Sequence, residues 1–186
     1  MESIRAFISI DIGSEIRARL DTLQRKLIQA DADVRWVKPE NIHLTLTFLG
    51  NVPKENLPAL ENALDENLHE LEPFQLTAYR TGVFGRRSRP SVIWAGIEES
   101  PPLFNLRQRV ISALETASIP FENKRFRPHL TLGRFKSLTR LDELFQTLEK
   151  EEAHFFGTRE ISTVELIKSE LKPTGAKYTI LHCTDF

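Results

Sequence analysis

Apolar residues recur along this chain at two spacings, one typical of strands and the other of helices. Residues 4–10 form a β-prone run with apolar positions at Ile8 and Ile10. In the following segment, 15–30, four apolar residues recur at helical spacing: Ile16, Leu20, Leu23 and Leu27. Ser14 precedes this segment and is its predicted N-cap. The pattern therefore predicts that the chain opens with a buried strand and an amphipathic helix.

The two spacings continue to alternate through the rest of the sequence. They predict an extended piece at 34–37, a turn at 38–41, a strand at 42–48 closed by Gly50, and a helix over 54–71 that starts at Pro53. Two strands, 74–84 and 91–97, are predicted next, joined by a polar hairpin loop over 85–90. The remaining elements are a helix over 101–117, a strand over 128–135, a helix over 138–149 and strands over 155–171 and 177–184.

This order of elements repeats once. A shift of 86 residues places 7–10 on 93–96, and each half then reads β-α-β-α-β. The pattern predicts one α+β domain over residues 1–186, with an internal repeat at roughly 4–85 and 90–184. We expect two lobes related by a pseudo-twofold axis, each with a mainly antiparallel sheet and outer helices, and an active-site groove between them.

The tetrapeptide HLTL occurs twice, beginning at His43 and at His129, 86 residues apart. Because side chains alternate between the two faces of a strand, His43 shares a face with Thr45, and His129 shares one with Thr131. The leucines between them face the core. Each copy therefore presents an imidazole beside a hydroxyl, and the pseudo-twofold axis would bring the two copies together across the groove.

Two imidazoles on separate strands suit displacement at phosphorus. One neutral and one protonated histidine form an acid–base pair near neutral pH. In-line attack needs the nucleophile and the leaving oxygen on opposite sides of the phosphorus, and the threonine hydroxyls can donate to its other oxygens. The sequence has no HExxH motif and no second cysteine beside Cys183, so we expect no metal and no other cofactor.

Composition changes this picture little. The chain has 186 residues, of which 40% are hydrophobic and 27% charged, and its net charge is −1. No overall field would draw it to nucleic acid or to a membrane, so any nucleic-acid contact must come from a local cluster. A lone cysteine and the lack of a leader-like segment predict a cytoplasmic protein without a membrane partner. The sequence does not mark the oligomeric state, and we expect a monomer.

Other polar and aromatic residues allow more than one interpretation. The remaining histidines are expected to be structural: His69, His154 and His182. The basic loop Arg86, Arg87 and Arg89 is either an RNA-phosphate contact or a solvated hairpin tip. A stronger case for substrate contact exists for three cations close to the second motif: Lys124, Arg125 and Arg127. Three phenylalanines can stack a base or fill the core: Phe7, Phe48 and Phe135.

Five stretches together resemble the two-histidine (2H) phosphoesterases, and in particular the LigT-like RNA 2′,3′-cyclic phosphodiesterases, once called 2′-5′ RNA ligases. The resemblance covers essentially the whole chain. Its stretches are RAFISID from Arg5, NIHLTLTFLG from Asn41, VIWAG from Val92, FRPHLTLGR from Phe126, and the tail pattern SxLxPxGxxY from Ser169.

This resemblance implies roles for individual residues. His43 would protonate the 3′-oxygen as it leaves, and His129 would activate water, so that the product is a 2′-phosphomonoester. Thr45 and Thr131 would hold phosphate oxygens. Arg134 would contact phosphate or substrate, provided that the strand bulges or ends at Gly133, because simple alternation puts Arg134 on the core face.

The predicted substrates are RNA with 2′,3′-cyclic phosphate ends or small cyclic nucleotides, contacted also by Phe48 and Arg127. The resemblance further implies slow, reversible 2′-5′ joining of RNA ends. The alternative is an RNA-end or nucleotide-binding module with little turnover, although binding alone would not need two titrating groups. Base preference, the natural RNA and the protonation state of each histidine do not follow from the sequence.

Overall fold

The structure is a computed structural model, and it describes residues 2–173 and 175–186. These residues contain four α-helices and nine strands. In chain order they are β1 (Ser3–Ile10), α1 (Gly13–Ile28), β2 (Val34–Trp36), β3 (Leu44–Pro53), α2 (Leu57–Leu68), β4 (Phe74–Arg86), β5 (Arg89–Ile97), α3 (Pro101–Thr116), β6 (His129–Phe135), α4 (Leu141–Lys150), β7 (Phe155–Ile161), β8 (Thr163–Lys172) and β9 (Gly175–Asp185). Short 3₁₀ turns cover Pro39–Asn41 and Lys54–Asn56. The predicted succession of elements is confirmed up to α4, and one of the two strands predicted after it is divided.

Three local predictions are wrong. Ser14 is not the N-cap, because α1 already begins at Gly13, whose N–H donates to the Asp11 carboxylate at 3.1 Å. Gly50 does not close β3, which continues to Pro53. A register shift beside Gly50 and its φ of 69° mark a bulge, which glycine accommodates without strain. The segment 155–171 is two strands rather than one, β7 and β8, interrupted at Ser162.

The strands form one antiparallel sheet, in the order β7-β4-β5-β6-β3-β1-β8-β9, with β2 paired to β6. Its middle is narrow, because β3 and β6 pair at one position, Leu44 opposite Leu130. On either side of this junction the strands form a lobe. The α+β fold with two antiparallel lobes and outer helices is confirmed: α2 packs on α3, and α1 packs on β7 and α4.

The lobes draw on both halves of the chain. β4 follows β3 in sequence but pairs with β5 and β7, in the lobe that contains β6. β8 and β9 come from the end of the chain, and β8 pairs with β1, in the lobe that contains β3. Each half of the chain therefore supplies strands to the other half's lobe. The repeat boundaries at 4–85 and 90–184 stay a prediction about the sequence.

The core lies on one face of this sheet and leaves the other face for the groove. The leucines of both HLTL motifs are at most 2% exposed: Leu44, Leu46, Leu130 and Leu132. They hold their strands against the helices and turn the intervening polar side chains the other way. No helix in residues 2–173 and 175–186 is long and apolar enough to span a membrane.

Candidate active site

Both HLTL motifs face one cavity of about 1010 Å³. His43 and Thr45 line it from β3 and the residues just before that strand, and His129 and Thr131 line it from β6. The four side chains belong to strands that meet at the narrow middle of the sheet. The structure thus brings together the two copies of the motif, as the sequence repeat predicted.

His43 is held on several sides. Its Nδ1 lies 2.8 Å from the Asn41 carbonyl oxygen, which can only accept, so Nδ1 donates and carries a proton. Nε2 lies 3.0 Å from Thr45 Oγ1. The ring stacks on Phe7, with centroids 4.7 Å apart, and meets Tyr178 edge-on at 5.3 Å. These contacts fix the ring plane and place Nε2 beside the Thr45 hydroxyl.

His129 is built in the same way from the other lobe. Its Nδ1 donates to the Arg127 carbonyl oxygen at 2.7 Å, again two residues earlier in the chain. Phe84 meets the ring edge-on at 4.8 Å. Each histidine therefore uses Nδ1 for positioning, and its Nε2 is the nitrogen left for chemistry.

The pKa of each imidazole lies below its ordinary value, chiefly because of burial. For His43, the bond to the Asn41 carbonyl opposes this lowering of the pKa, and the positive charge of Arg17 adds to it. For His129, the bond to the Arg127 carbonyl opposes it, and Arg134 adds to it. A lowered pKa favours the neutral imidazole near pH 7, which is the state that a general base requires.

Arg134 reaches the cavity because β6 bulges just before it. Thr131 lies opposite Trp94 and Gly133 lies opposite Ile93, so Leu132 is the extra residue on β6. This bulge reverses the simple alternation and sets Arg134 among the residues that line the cavity. The strand therefore bulges before Arg134, as the sequence analysis required for Arg134 to reach the groove.

Phe48 and Arg127 also line the cavity. Phe48 is 42% exposed, and its ring lies 6.0 Å from that of Phe7. Phe7 is buried under His43, and Phe135 stacks with Phe145 at 6.3 Å. Of the three phenylalanines considered for base stacking, Phe48 is the one with an open face.

The three remaining histidines and the arginines of the basic hairpin lie outside the cavity lining. His154 pairs with Glu151, His182 pairs with Asp65, and His69 is exposed on the end of α2. In the basic hairpin between β4 and β5, Arg87 pairs with Glu149 at 2.8 Å and its guanidinium stacks on the Phe145 ring. This contact gives Arg87 a structural role on α4.

Sequence reasoning missed most of the positive charge around the site. Among the described residues, nine lysines and arginines line the cavity against one acid, Glu122. The nine are Arg5, Arg35, Lys38, Arg107, Lys124, Arg125, Arg127, Arg134 and Lys172. Three of them lie together in the segment before β6, and the others come from separate elements, so the tertiary fold gathers the full set. A local basic surface forms on a protein whose net charge is −1, which suits a polyanionic ligand.

Two further contributors had no assigned role. Tyr178 belongs to the tail pattern noted in the sequence, and it packs against both His43 and Phe7. Asn41 donates from its side-chain amide to the Ala176 carbonyl oxygen at 2.9 Å, which ties the β8–β9 hairpin to the turn before His43. The described residues contain no group of three or more His, Cys, Asp or Glu arranged to hold a metal ion.

Comparison with known proteins agrees with this site. The family description "LigT like Phosphoesterase" matches the chain twice, over residues 10–94 and 96–178. The RNA 2′,3′-cyclic phosphodiesterase of Methanothermobacter thermautotrophicus is 35% identical over 177 residues, which cover 95% of each chain. The enzyme of the same name from Thermotoga maritima is 30% identical over 98% of this chain and 96% of its own.

Solved structures show the same likeness along the entire chain. A protein of Thermus thermophilus superposes with a TM-score of 0.80 and 31% identity, covering 98% of this chain and 97% of its own. E. coli LigT complexed with 3′-AMP gives a TM-score of 0.80 at 26% identity, over 100% and 99% of the two chains. The two family matches together span most of the sequence and contain both HLTL motifs, and the chain belongs to the LigT-like phosphoesterase family.

Proposed function

We propose that this protein hydrolyses the 2′,3′-cyclic phosphate at RNA ends to a 2′-phosphomonoester, without a metal, by acid–base catalysis between His43 and His129. The observation that carries the proposal is the matched construction of the two histidines. Each comes from a different lobe, lines the same cavity and donates from Nδ1 to the carbonyl two residues earlier. Nε2 of each ring is thereby available for proton transfer, and a phosphate bound between the two rings would have one Nε2 on each side.

His129 acts as the base. Its Nε2 accepts a proton from water as the oxygen of that water attacks the phosphorus, and the burial that lowers its pKa keeps the ring neutral for this task. His43 acts as the acid. It must first gain a proton on Nε2, which a phosphate anion beside it favours by raising its pKa. The proton then passes to the 3′-oxygen as the P–O bond breaks.

The two threonine hydroxyls and the arginine stabilise the charge that grows on the phosphate. Thr45 Oγ1 is already 3.0 Å from His43 Nε2, so an oxygen bound there also lies near the acid. Thr131 and Arg134 line the cavity from β6, one on each side of the bulge. Preorganised donors of this kind are each worth about 10²–10³ in rate.

RNA is the substrate that fits the surroundings. The basic lining supplies phosphate contacts, Arg127 among them, and the open ring of Phe48 supplies a surface for a base. The names of the relatives point to the same substrate class. With the 5′-hydroxyl of a second RNA end in place of water, the same pair would join the two ends: His129 takes the proton of the 5′-hydroxyl, the 5′-oxygen bonds to phosphorus, and the P–O3′ bond breaks as His43 protonates the 3′-oxygen, which leaves a 2′-5′ linkage. We further propose that the protein acts as a monomer in the cytoplasm.

The decisive experiment assays hydrolysis of 2′,3′-cyclic nucleotides and of an oligoribonucleotide with a cyclic end, and identifies the product isomer. His43→Ala and His129→Ala are each expected to lower kcat by at least about 10²–10⁴. His69→Ala is the matched control, since His69 is exposed and does not line the cavity. Retained turnover in either active-site variant rejects the mechanism. Tight binding of RNA ends by the wild type without turnover would instead establish a binding module.

A further inference from the structure

We infer that Arg107 is a positioning residue, which fastens the cationic segment before β6 to the strand that follows His43 and so makes the site favour RNA chains over cyclic mononucleotides. The inference rests on the proposed function and adds a determinant of substrate length to it. Arg107 lies on α3, one turn past Phe104, and it lines the cavity without belonging to either HLTL motif.

The junction between the lobes creates the need for such a residue. β3 and β6 pair at Leu44 and Leu130 and diverge beyond that point. Two carbonyls farther along β3 are taken up by other donors. The Leu46 oxygen accepts from Arg107 Nε at 3.3 Å, and the Phe48 oxygen accepts from the Glu122 N–H at 2.9 Å. The segment before β6 and the α3 arginine thus fill the place where a neighbouring strand would pair.

Arg107 reaches from β3 to this segment. Its Nη2 donates to the Lys124 carbonyl oxygen at 3.2 Å, and its guanidinium carbon lies 4.9 Å from the centre of the Phe126 ring. Phe126 in turn meets Phe104 edge-on at 5.8 Å. One side chain therefore joins a β3 carbonyl, a segment carbonyl and an aromatic pair, which the planar fork of a guanidinium allows and an ammonium does not.

The segment depends on these contacts for its shape. Residues 118–128, between α3 and β6, contain no helix or strand. Yet three of their side chains place positive charge on the cavity: Lys124, Arg125 and Arg127. The Arg127 carbonyl near the end of the segment is held by a separate contact, because His129 Nδ1 donates to it. Arg107 consequently sets where this group of cations stands relative to the acid–base pair.

These cations have more to bind in an RNA chain than in a mononucleotide. A cyclic mononucleotide carries only the reacting phosphate, and in the proposed mechanism Thr45, Thr131 and Arg134 already bind it. An oligonucleotide brings further phosphates, and lysine and arginine contacts to these supply salt-dependent affinity. A cavity of about 1010 Å³ is at the upper end of the size of single-ligand sites, and it leaves room for the preceding nucleotides.

The test compares Arg107→Met and Arg107→Lys with Arg109→Met. Arg109 lies on the same helix, is exposed and does not line the cavity. The substrates are a 2′,3′-cyclic mononucleotide and a short oligoribonucleotide with a 2′,3′-cyclic end. For Arg107→Met we expect kcat/KM on the oligonucleotide to fall about tenfold, mostly through KM, and to change less than about threefold on the mononucleotide.

The salt dependence of KM for the oligonucleotide should become shallower by about one in log–log slope. Arg107→Lys should fall between wild type and Arg107→Met, and Arg109→Met should match wild type. An equal loss on both substrates, tracking a lower fraction of folded protein in thermal unfolding, would overturn the inference in favour of a purely structural role. Unchanged selectivity in Arg107→Met would overturn it as well.

Wild-type turnover separates this inference from the function on which it rests. If the wild type hydrolyses neither substrate, the proposed function fails. Equilibrium binding of the oligonucleotide then decides the role of Arg107 alone, with about tenfold weaker binding expected for Arg107→Met and equal binding contradicting it.

Discussion

The ring of Phe7 lies face to face with the imidazole of His43, with centroids 4.7 Å apart and planes inclined by 18°. Phe7 is 3% exposed and belongs to β1, the strand paired with β3. The stack therefore links the orientation of His43 to the interior of its own lobe. Tyr178 closes the arrangement from β9, edge-on to both rings.

Phe7→Leu should impair catalysis more than stability. Leucine keeps an apolar side chain in the site, so we expect a stability loss of about 1–1.5 kcal/mol. It removes the flat surface against His43, and a misplaced acid can lower kcat about 10- to 100-fold. Thermal unfolding and steady-state kinetics measure the two effects. Phe135→Leu, away from the cavity and also in an aromatic stack, is the control; an equal kcat loss there would contradict the role of Phe7.

Thr45→Val tests the hydroxyl beside the acid. Valine has nearly the same shape but cannot donate, so kcat should fall about 10²–10³-fold while KM changes little. Thr45→Ser retains the oxygen and should recover most of the activity. If serine were as poor as valine, packing of the threonine methyl rather than the hydroxyl bond would explain the effect.

The stability of the fold should fall as pH drops below about 6.5. Burial lowers the pKa of His43 and His129 in the folded state, so the unfolded chain binds more protons in the window between their folded pKa and their ordinary value of 6.5. The stabilisation from the neutral rings is complete above that value and is lost as the pH falls through the window. The melting temperature measured from pH 8 to pH 5 should therefore fall more steeply in wild type than in the double variant His43→Gln, His129→Gln. Parallel curves would show that the rings do not carry this effect.

Gly133→Ala should disturb the bulge that directs Arg134. A β-carbon at Gly133 would lie 2.6 Å from Val34 Cγ1 and 3.0 Å from Trp36 Cε3, so β2 and β6 would have to separate. We expect a loss of about 1–3 kcal/mol in stability together with weaker phosphate binding. Gly50→Ala serves as the comparison, since a β-carbon there has nothing within 4 Å and the cost comes from its φ of 69° alone. Gly50→Ala should lose stability and keep its affinity for phosphate. If it lost as much phosphate affinity as Gly133→Ala, the placement of Arg134 by the bulge would not explain the effect.

Local patterns were sufficient to predict the elements and the centre of the site. Alternation in two identical tetrapeptides places His43, Thr45, His129 and Thr131 on polar faces, and the structure puts all four on one cavity. Arg134 reaches the cavity only because β6 bulges, and the sequence alone does not show whether this bulge forms. Bulges depend on the register of the partner strands, here β5 against β6, and that register is a tertiary property.

What could not be predicted depends on contacts between distant segments. The division of 155–171 into two strands follows from β7 pairing with β4 while β8 pairs with β1. The cations Arg5, Arg35 and Lys172 reach the cavity from three separate strands. Nothing in their immediate neighbours distinguishes them from ordinary surface residues. The role of Arg107 on α3 could not be predicted either, because its hydrogen-bond partners are backbone carbonyls, which any residue type provides.

β4 pairs with strands of one lobe and β8 with a strand of the other, and this exchange affects how the protein folds. Neither lobe can complete its strands until chain from the opposite half has arrived, so a fragment ending before β8 would leave β1 with a bare edge. We therefore expect the surroundings of His43, which include Tyr178 of β9, to be completed only once the last strands are docked. Recovery of activity after dilution from denaturant should lag behind the return of helical signal, reporting the closure of the whole sheet.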